Sequence, residues 1–188
     1  MAISINQIEG GLGLIINGEI WVVLDYNHVK PGKGSAFVRV RIKNLKTDSV
    51  LEKTFRSAES LDEAVLEERR LQFTYETGGS YHFMDQKSFE EIIVPIAIIG
   101  DGIKYLQDNL EVVGLFHKDK LQKITMPTFI VAEIKETEPG YRGDTSKSGT
   151  KPAKIDTGAT VQVPLFIEIG EVIKVDTRVG QYVERVKR

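Results

Sequence analysis

An all-β protein in three successive units is what this chain of 188 residues predicts, on three observations. Short runs rich in β-branched and aromatic residues recur along it, bounded by Gly, Pro, Asn or Asp. Asn17-Gly18 between two such runs is a strong two-residue hairpin signal. Charge is also partitioned: residues 63–127 hold 7 basic and 11 acidic groups, while 128–188 hold 10 and 9. Such a division is expected where parts of one chain meet different surfaces. The joints fall near residues 62 and 127.

In the first unit, Gly10-Gly11-Leu12-Gly13 leads into the strand Leu14-Ile15-Ile16, and Asn17-Gly18 turns the chain into Glu19 to Tyr26. Ala36 to Ile42 follows with clear alternation, then a turn at Asn44 to Asp48 and a strand from Val50 to Phe55. About five strands in roughly 60 residues is the content of a small closed or half-closed barrel. In the second unit, Leu71 to Tyr75 and Tyr81 to Met84 flank a turn at Thr77 to Ser80, and both arms alternate as a half-buried hairpin does. Pro95 to Leu110 has room for one short helix, and Glu111 to Phe116 returns to strand. Leu61 to Leu71 is ambiguous, because its Glu, Leu, Ala and Arg favour helix while tertiary pairing favours strand. The third unit opens after Met126-Pro127 with the strand Ile130 to Ile134, and Thr137 to Thr150 reads as a polar loop. Val161 to Ile167, Glu171 to Val175 and Tyr182 to Val186 are its further strands.

Composition narrows the function classes. An apolar fraction of 41% and a charged fraction of 28% are those of a folded soluble protein. No apolar run approaches the ~20 residues of a membrane helix, and no secretory signal opens the chain. The absence of cysteine excludes disulfides and thiolate metal sites and is compatible with the cytoplasm. A net charge of −2 does not by itself point to nucleic acid.

Local charge tells a different story. From Tyr26 to Thr47 stand Lys30, Lys33, Arg39, Arg41, Lys43 and Lys46 with no acid among them. Six cations together are enough to seek phosphates through counterion release. They surround the turn Lys30-Pro31-Gly32-Lys33-Gly34-Ser35, where Pro31 presets φ and Gly32 and Gly34 accept positive φ. Glycine on both sides leaves Lys33 projecting from a bare tip, suited to a narrow, negatively charged space. From the residues alone two readings stand: a solvated hairpin with incidental lysines, or a probe with a phosphate-seeking base. His28 either assists a phosphate contact or ends its strand.

No catalytic constellation is present. Gly32-Lys33 fails as a P-loop, since position 27 is Asn and Gly34 stands where magnesium needs Ser or Thr. Gly10, Gly11 and Gly13 do not complete a dinucleotide fingerprint, because position 16 is Ile and no βαβ unit follows. His28, His82 and His117 are far apart and lack metal-ligand spacing, so neither a metal nor a cofactor is expected. His82, between Tyr81 and Phe83, reads as structural, and Glu67-Glu68 and Glu90-Glu91 as solvated faces.

The C-terminal third carries the most specific pattern. Lys151, Ala153, Gly158, Val161, Val163, Pro164, Ile167 and Gly170 fit a K-x-A-x4-G-x2-V-x-V-P-x2-I-x2-G spacing. With Gly140 to Thr145, Gly170 to Arg178, Lys30 to Phe37 and Glu52-Lys53-Thr54-Phe55, this resembles the bacterial elongation factor P family nearly end to end. The resemblance implies an SH3-like (KOW-type) barrel over 1–62, an OB-type barrel over 63–127 and a C-terminal OB-fold barrel over 128–188, set in an L shaped like tRNA. It implies strand in much of 64–75, against local propensity. It further implies a monomeric, non-enzymatic cytoplasmic factor that binds the 70S ribosome beside peptidyl-tRNA and relieves stalls at consecutive prolines. Lys33 aligns with the lysine that many members carry extended by an amine-bearing group, attached by a lysine-modifying enzyme. Archaeal and eukaryotic relatives carry hypusine there. His28, Arg39, Arg41, Lys43 and Lys46 are the candidate RNA contacts.

Beside an enzyme acting on a small substrate, which would need a pocket with convergent titratable groups, two rivals remain at this stage. One is a divergent paralogue with another translational task. The other is a general single-strand-binding OB protein, against which stand the 8% aromatic content and its dispersal away from the basic stripe.

Overall fold

A computed structural model describes residues 2–30, 32, 34–139 and 149–187. Pro31, Lys33 and Gly140 to Ser148 lie outside the described residues, and with them the tip lysine and the Gly140 to Thr145 segment.

Sixteen strands among the described residues form three sheets. The first comprises β1 (Ala2–Ile3), β2 (Gly13–Ile16), β3 (Glu19–Val29), β4 (Phe37–Asn44), β5 (Val50–Arg56) and β6 (Leu61–Glu63), ordered β1-β6-β2-β3-β4-β5. Asn17 and Gly18, at φ 53° and 81°, make the β2–β3 turn as the sequence predicts. Alternation in β4 sends Val38, Val40 and Ile42 fully inward, onto Leu14, Trp21, Val23 and Phe55. Arg39 and Arg41 point out.

The second sheet has the order β11-β10-β7-β8-β9. Its strands are β7 (Glu67–Thr77), β8 (Ser80–Asp85), β9 (Glu91–Pro95), β10 (Glu111–His117) and β11 (Lys120–Thr125). Residues 61–63 and 67–77 are strands, so pairing overrides the helical preference of that stretch. The short helix is α1 (Ile96–Ile99), continued by a 3-10 turn over Gly100–Tyr105. Strands β9 and β11 were not expected. The first opens on a polar turn with few turn signals, and the second follows Lys118 and Asp119, both at positive φ without a glycine. The β8–β9 turn is organised by Asp85, whose carboxylate accepts the Lys87 and Ser88 backbone N–H groups at 2.7 and 3.0 Å. Those bonds hold its pKa below the usual carboxylate range.

The third sheet closes as a barrel, β12-β13-β14-β16-β15, from β12 (Phe129–Thr137), β13 (Thr150–Ile155), β14 (Thr160–Pro164), β15 (Val172–Asp176) and β16 (Gln181–Arg185). Its inward residues include Ile134, Val163, Ile173 and Val175, all fully buried. Two expectations are corrected here. The strand foreseen over Val161 to Ile167 stops at Pro164, whose carbonyl accepts the Ile167 N–H in a turn at 3.0 Å. Strand β13, containing Pro152, was missed. Its pairing with β12 ends at Ala153, so Pro152 sits where no donor to that neighbour is needed.

Compactness divides the chain into two units, Met1–Glu68 with Gly114–Lys123 and Arg69–Val113 with Ile124–Arg188. Within the first, Asp48 at the β4–β5 turn binds both Lys43, at 2.6 Å, and Lys123 of β11. Burial pushes the Asp48 carboxyl up, but hydrogen bonds and charge from the two lysines outweigh it and leave the pKa lowered. A depressed folded pKa means the stabilisation is present above the ordinary Asp range and is lost as pH falls through the lowered value. Asp48→Asn is expected to cost about 1 kcal/mol at low salt, as for a small exposed network, and almost nothing at high salt. Urea unfolding at the two ionic strengths measures this.

Candidate nucleic-acid interface

The hairpin of β3 and β4 is long because both strands keep pairing past the core, from Trp21↔Asn44 out to Val29↔Phe37. A register shift between Val23 and Asp25 places Leu24 as an extra residue on β3. The strands run on to a loop in which Lys30, Gly32, Gly34 and Ser35 are exposed. Gly34 has φ 113°, a conformation a side chain would strain, so glycine is required at that position.

Cross-strand partners share a face of the sheet, which sorts the candidate contacts. Arg39, Arg41 and Lys43 alternate on the outward face of β4, flanked there by Phe37, whose ring lies 5.8 Å from the Arg39 guanidinium carbon. Lys46 is exposed on the following turn, held by the buried Asn44, whose side-chain oxygen accepts the Lys46 and Thr47 N–H groups at 2.9 and 3.0 Å. His28 is not with them. It pairs with Val38 and contacts Tyr26 edge-to-face at 5.4 Å, on the side of the sheet that faces the core further down. The structure therefore separates His28 from the arginines.

The acid-free stripe is also a property of the sequence alone. In the fold, Arg41 stands between Asp25 on β3 and Glu52 on β5, and Lys43 is paired with Asp48. Arg39 stands between Asn27 and Thr54, both uncharged. Arg56, opposite Phe37, adds a cation to the same face and was overlooked. Its signal was present: it lies one alternation beyond Thr54 in β5. Arg39 is thus the outward cation between uncharged cross-strand neighbours, and Arg56 adds a second toward the loop end of the hairpin, with the Glu59 carboxylate accepting its backbone N–H at 3.0 Å.

The signature residues of the third unit build its barrel. Ala153 and Val163 are core, and Pro164 ends β14. Gly158 and Gly170 turn at φ 88° and 84° and donate backbone hydrogen bonds to Ile155 and Ile134. Lys151 is buried, with its ammonium donating to the Glu138 carbonyl at 2.7 Å. Among the described residues, no three His, Cys, Asp or Glu side chains gather as metal ligands. No helix there is long and apolar enough to cross a membrane.

A long hairpin with a cationic outer face, in a chain whose described residues form three β sheets, defines an all-β protein with a candidate phosphate-binding face. Family models agree, segment by segment. "Elongation factor P (EF-P) KOW-like domain" matches residues 4–61, "Elongation factor P (EF-P) OB domain" 66–124 and "Elongation factor P, C-terminal" 130–185. Elongation factor P of Thermoanaerobacter sp. is 45% identical over 184 residues, covering 98% of this chain and all of that one. Elongation factor P of Prochlorococcus marinus is 50% identical over 183 residues, covering 97% and 98%. Among solved structures, the translation initiation factor 5A of Methanococcus jannaschii superposes with a TM-score of 0.51 at 23% identity, over 67% of this chain and 94% of that one. That likeness concerns the fold. The chain belongs to the elongation factor P family of non-enzymatic translation factors.

Proposed function

We propose that this translation factor binds the 70S ribosome beside peptidyl-tRNA in the cytoplasm, as a monomer, and promotes peptide-bond formation at consecutive prolines. In this reading the chain works as three barrels over 1–62, 63–127 and 128–188. The observation that carries it is the β3–β4 hairpin, which extends beyond its own core and presents Arg39 and Arg56 outward beneath a loop in which Lys30, Gly32, Gly34 and Ser35 are exposed. Such a face holds a phosphate backbone without reading bases.

Proline is a constrained nucleophile, so the reaction gains most from fixing its partner. Holding two reactants in near-attack geometry contributes several kcal/mol with no acid, base or nucleophile from the factor. Lys33, extended by its modifying enzyme, would run along the tRNA acceptor end and hold its phosphates and sugars. Addition of the purified native-host protein to a reconstituted translation system should relieve the pause on a triproline reporter. Unchanged pausing would refute the reading.

The charge environment ranks the phosphate contacts. Arg39→Ala should weaken binding to ribosomes carrying peptidyl-tRNA and flatten its log–log salt dependence by about one unit, as for loss of one phosphate contact. Arg41→Ala should do less, because Asp25 and Glu52 already offset that guanidinium. Filter binding across a salt series distinguishes the two.

A further inference from the structure

The outward face of β7, β8 and β9 breaks the polar-out rule for a half-solvated antiparallel sheet. Tyr75 pairs with His82, and His82 with Ile93, so these three form one row across the strands. Tyr75 is 46% exposed and Ile93 60%. Half-buried Met84 and exposed Pro95 continue the apolar surface on either side of that row. β9 is the edge of its sheet, so nothing within the sheet covers that flank. A contiguous exposed apolar patch on a sheet edge marks an interaction surface.

Its charge selects the partner. The one charged residue among these positions is Glu91, and the carboxylate is held in place. Oε1 accepts the Tyr75 hydroxyl at 3.0 Å and lies 3.2 Å from His82 Nδ1. The Tyr75 ring is itself fixed by stacking on the His82 imidazole, with centroids 4.2 Å apart and planes at 14°. Glu91 is therefore not the merely solvated carboxylate its sequence context predicts. The ring's other face and Oε2 remain for a ligand. A guanidinium fits both, lying over the tyrosine while donating to the carboxylate. RNA fits poorly, since a fixed carboxylate with no lysine or arginine among the positions of this face repels phosphates. The surrounding stretch 69–113 holds 4 basic and 7 acidic residues, the same sign.

We infer that the Tyr75–Glu91–Ile93 face docks an arginine-bearing protein segment of the ribosome. The inference rests on the ribosome-binding reading and adds a protein contact to it. The test places a photo-crosslinking benzoylphenylalanine at Ile93, and in a second variant at Ser35, on purified 70S ribosomes carrying peptidyl-tRNA. The Ile93 probe is expected to join a ribosomal protein at an Arg-containing peptide, identified by mass spectrometry, while the Ser35 probe joins tRNA. Glu91→Gln keeps an acceptor for Tyr75 but removes the charge, and should lower the Ile93 adduct about tenfold, the loss expected of a charge-assisted hydrogen bond. The Ser35 adduct should persist. An Ile93 adduct only to RNA, or none while the Ser35 adduct forms, overturns the inference and leaves the ribosome reading standing. An Ile93 adduct unmoved by Glu91→Gln also overturns it. Loss of both adducts overturns the ribosome reading and the inference with it.

Discussion

Lys33→Ala is expected to abolish rescue of a triproline reporter while synthesis of proline-poor messages stays near normal. Folding should be almost unaffected, since surface changes usually fall within about ±0.5 kcal/mol. Lys30→Ala should cost less, because Lys30 sits at the shoulder of the loop and would at most touch backbone phosphates. Lys33→Arg divides charge from chemistry: it retains the cation but offers no amine to a lysine-modifying enzyme. Reconstituted translation with protein from the native host, checked by intact-mass spectrometry, measures all three. Full rescue by Lys33→Ala would refute the proposed mechanism and leave the family assignment untouched.

The second large effect is on folding. Gly13 of β2 accepts the Ala64 N–H at 2.9 Å, and a Cβ built on Gly13 would collide with the Ala64 backbone carbonyl oxygen. A backbone oxygen held just past the end of the β2–β6 ladder cannot move aside as the end of a flexible side chain can. Gly13→Ala should therefore destabilise the first compact unit by about 3 kcal/mol, at the upper end for overpacking. Gly18→Ala makes a useful contrast, since there the space is open and only the φ of 81° is strained. Denaturant unfolding of the two variants checks the order. Equal stability of Gly13→Ala and the parent would show that β2 and residue 64 do not pack as described.

Much of the architecture is legible in the residues because its determinants are local. Alternation in Phe37 to Asn44, the Asn17-Gly18 turn and the positive φ of Gly34 need only the pleat and the allowed φ values to be read. The family pattern from Lys151 to Gly170 is equally local, a set of turns and inward residues at fixed spacing. Other features depended on partners distant in sequence. Leu61 to Leu71 carries helical propensity, and only pairing of β6 with β1 and β2, and of β7 with β8 and β10, makes its two ends strand. The basic stripe lost part of its charge when strand register set Asp25 and Glu52 beside Arg41. Arg56 joined the outward face, and His28 left it, by the same two-residue period. Glu91, an ordinary surface carboxylate in the sequence, became a fixed group when three strands aligned it with Tyr75 and His82. The sequence by itself determined the family and the strands whose alternation and flanking turns are local, because propensity and spacing act over a few residues, but not β9, β11 or β13. Tertiary structure alone decided which charges stand unopposed, because electrostatic neighbours are set by register between strands rather than by order along the chain.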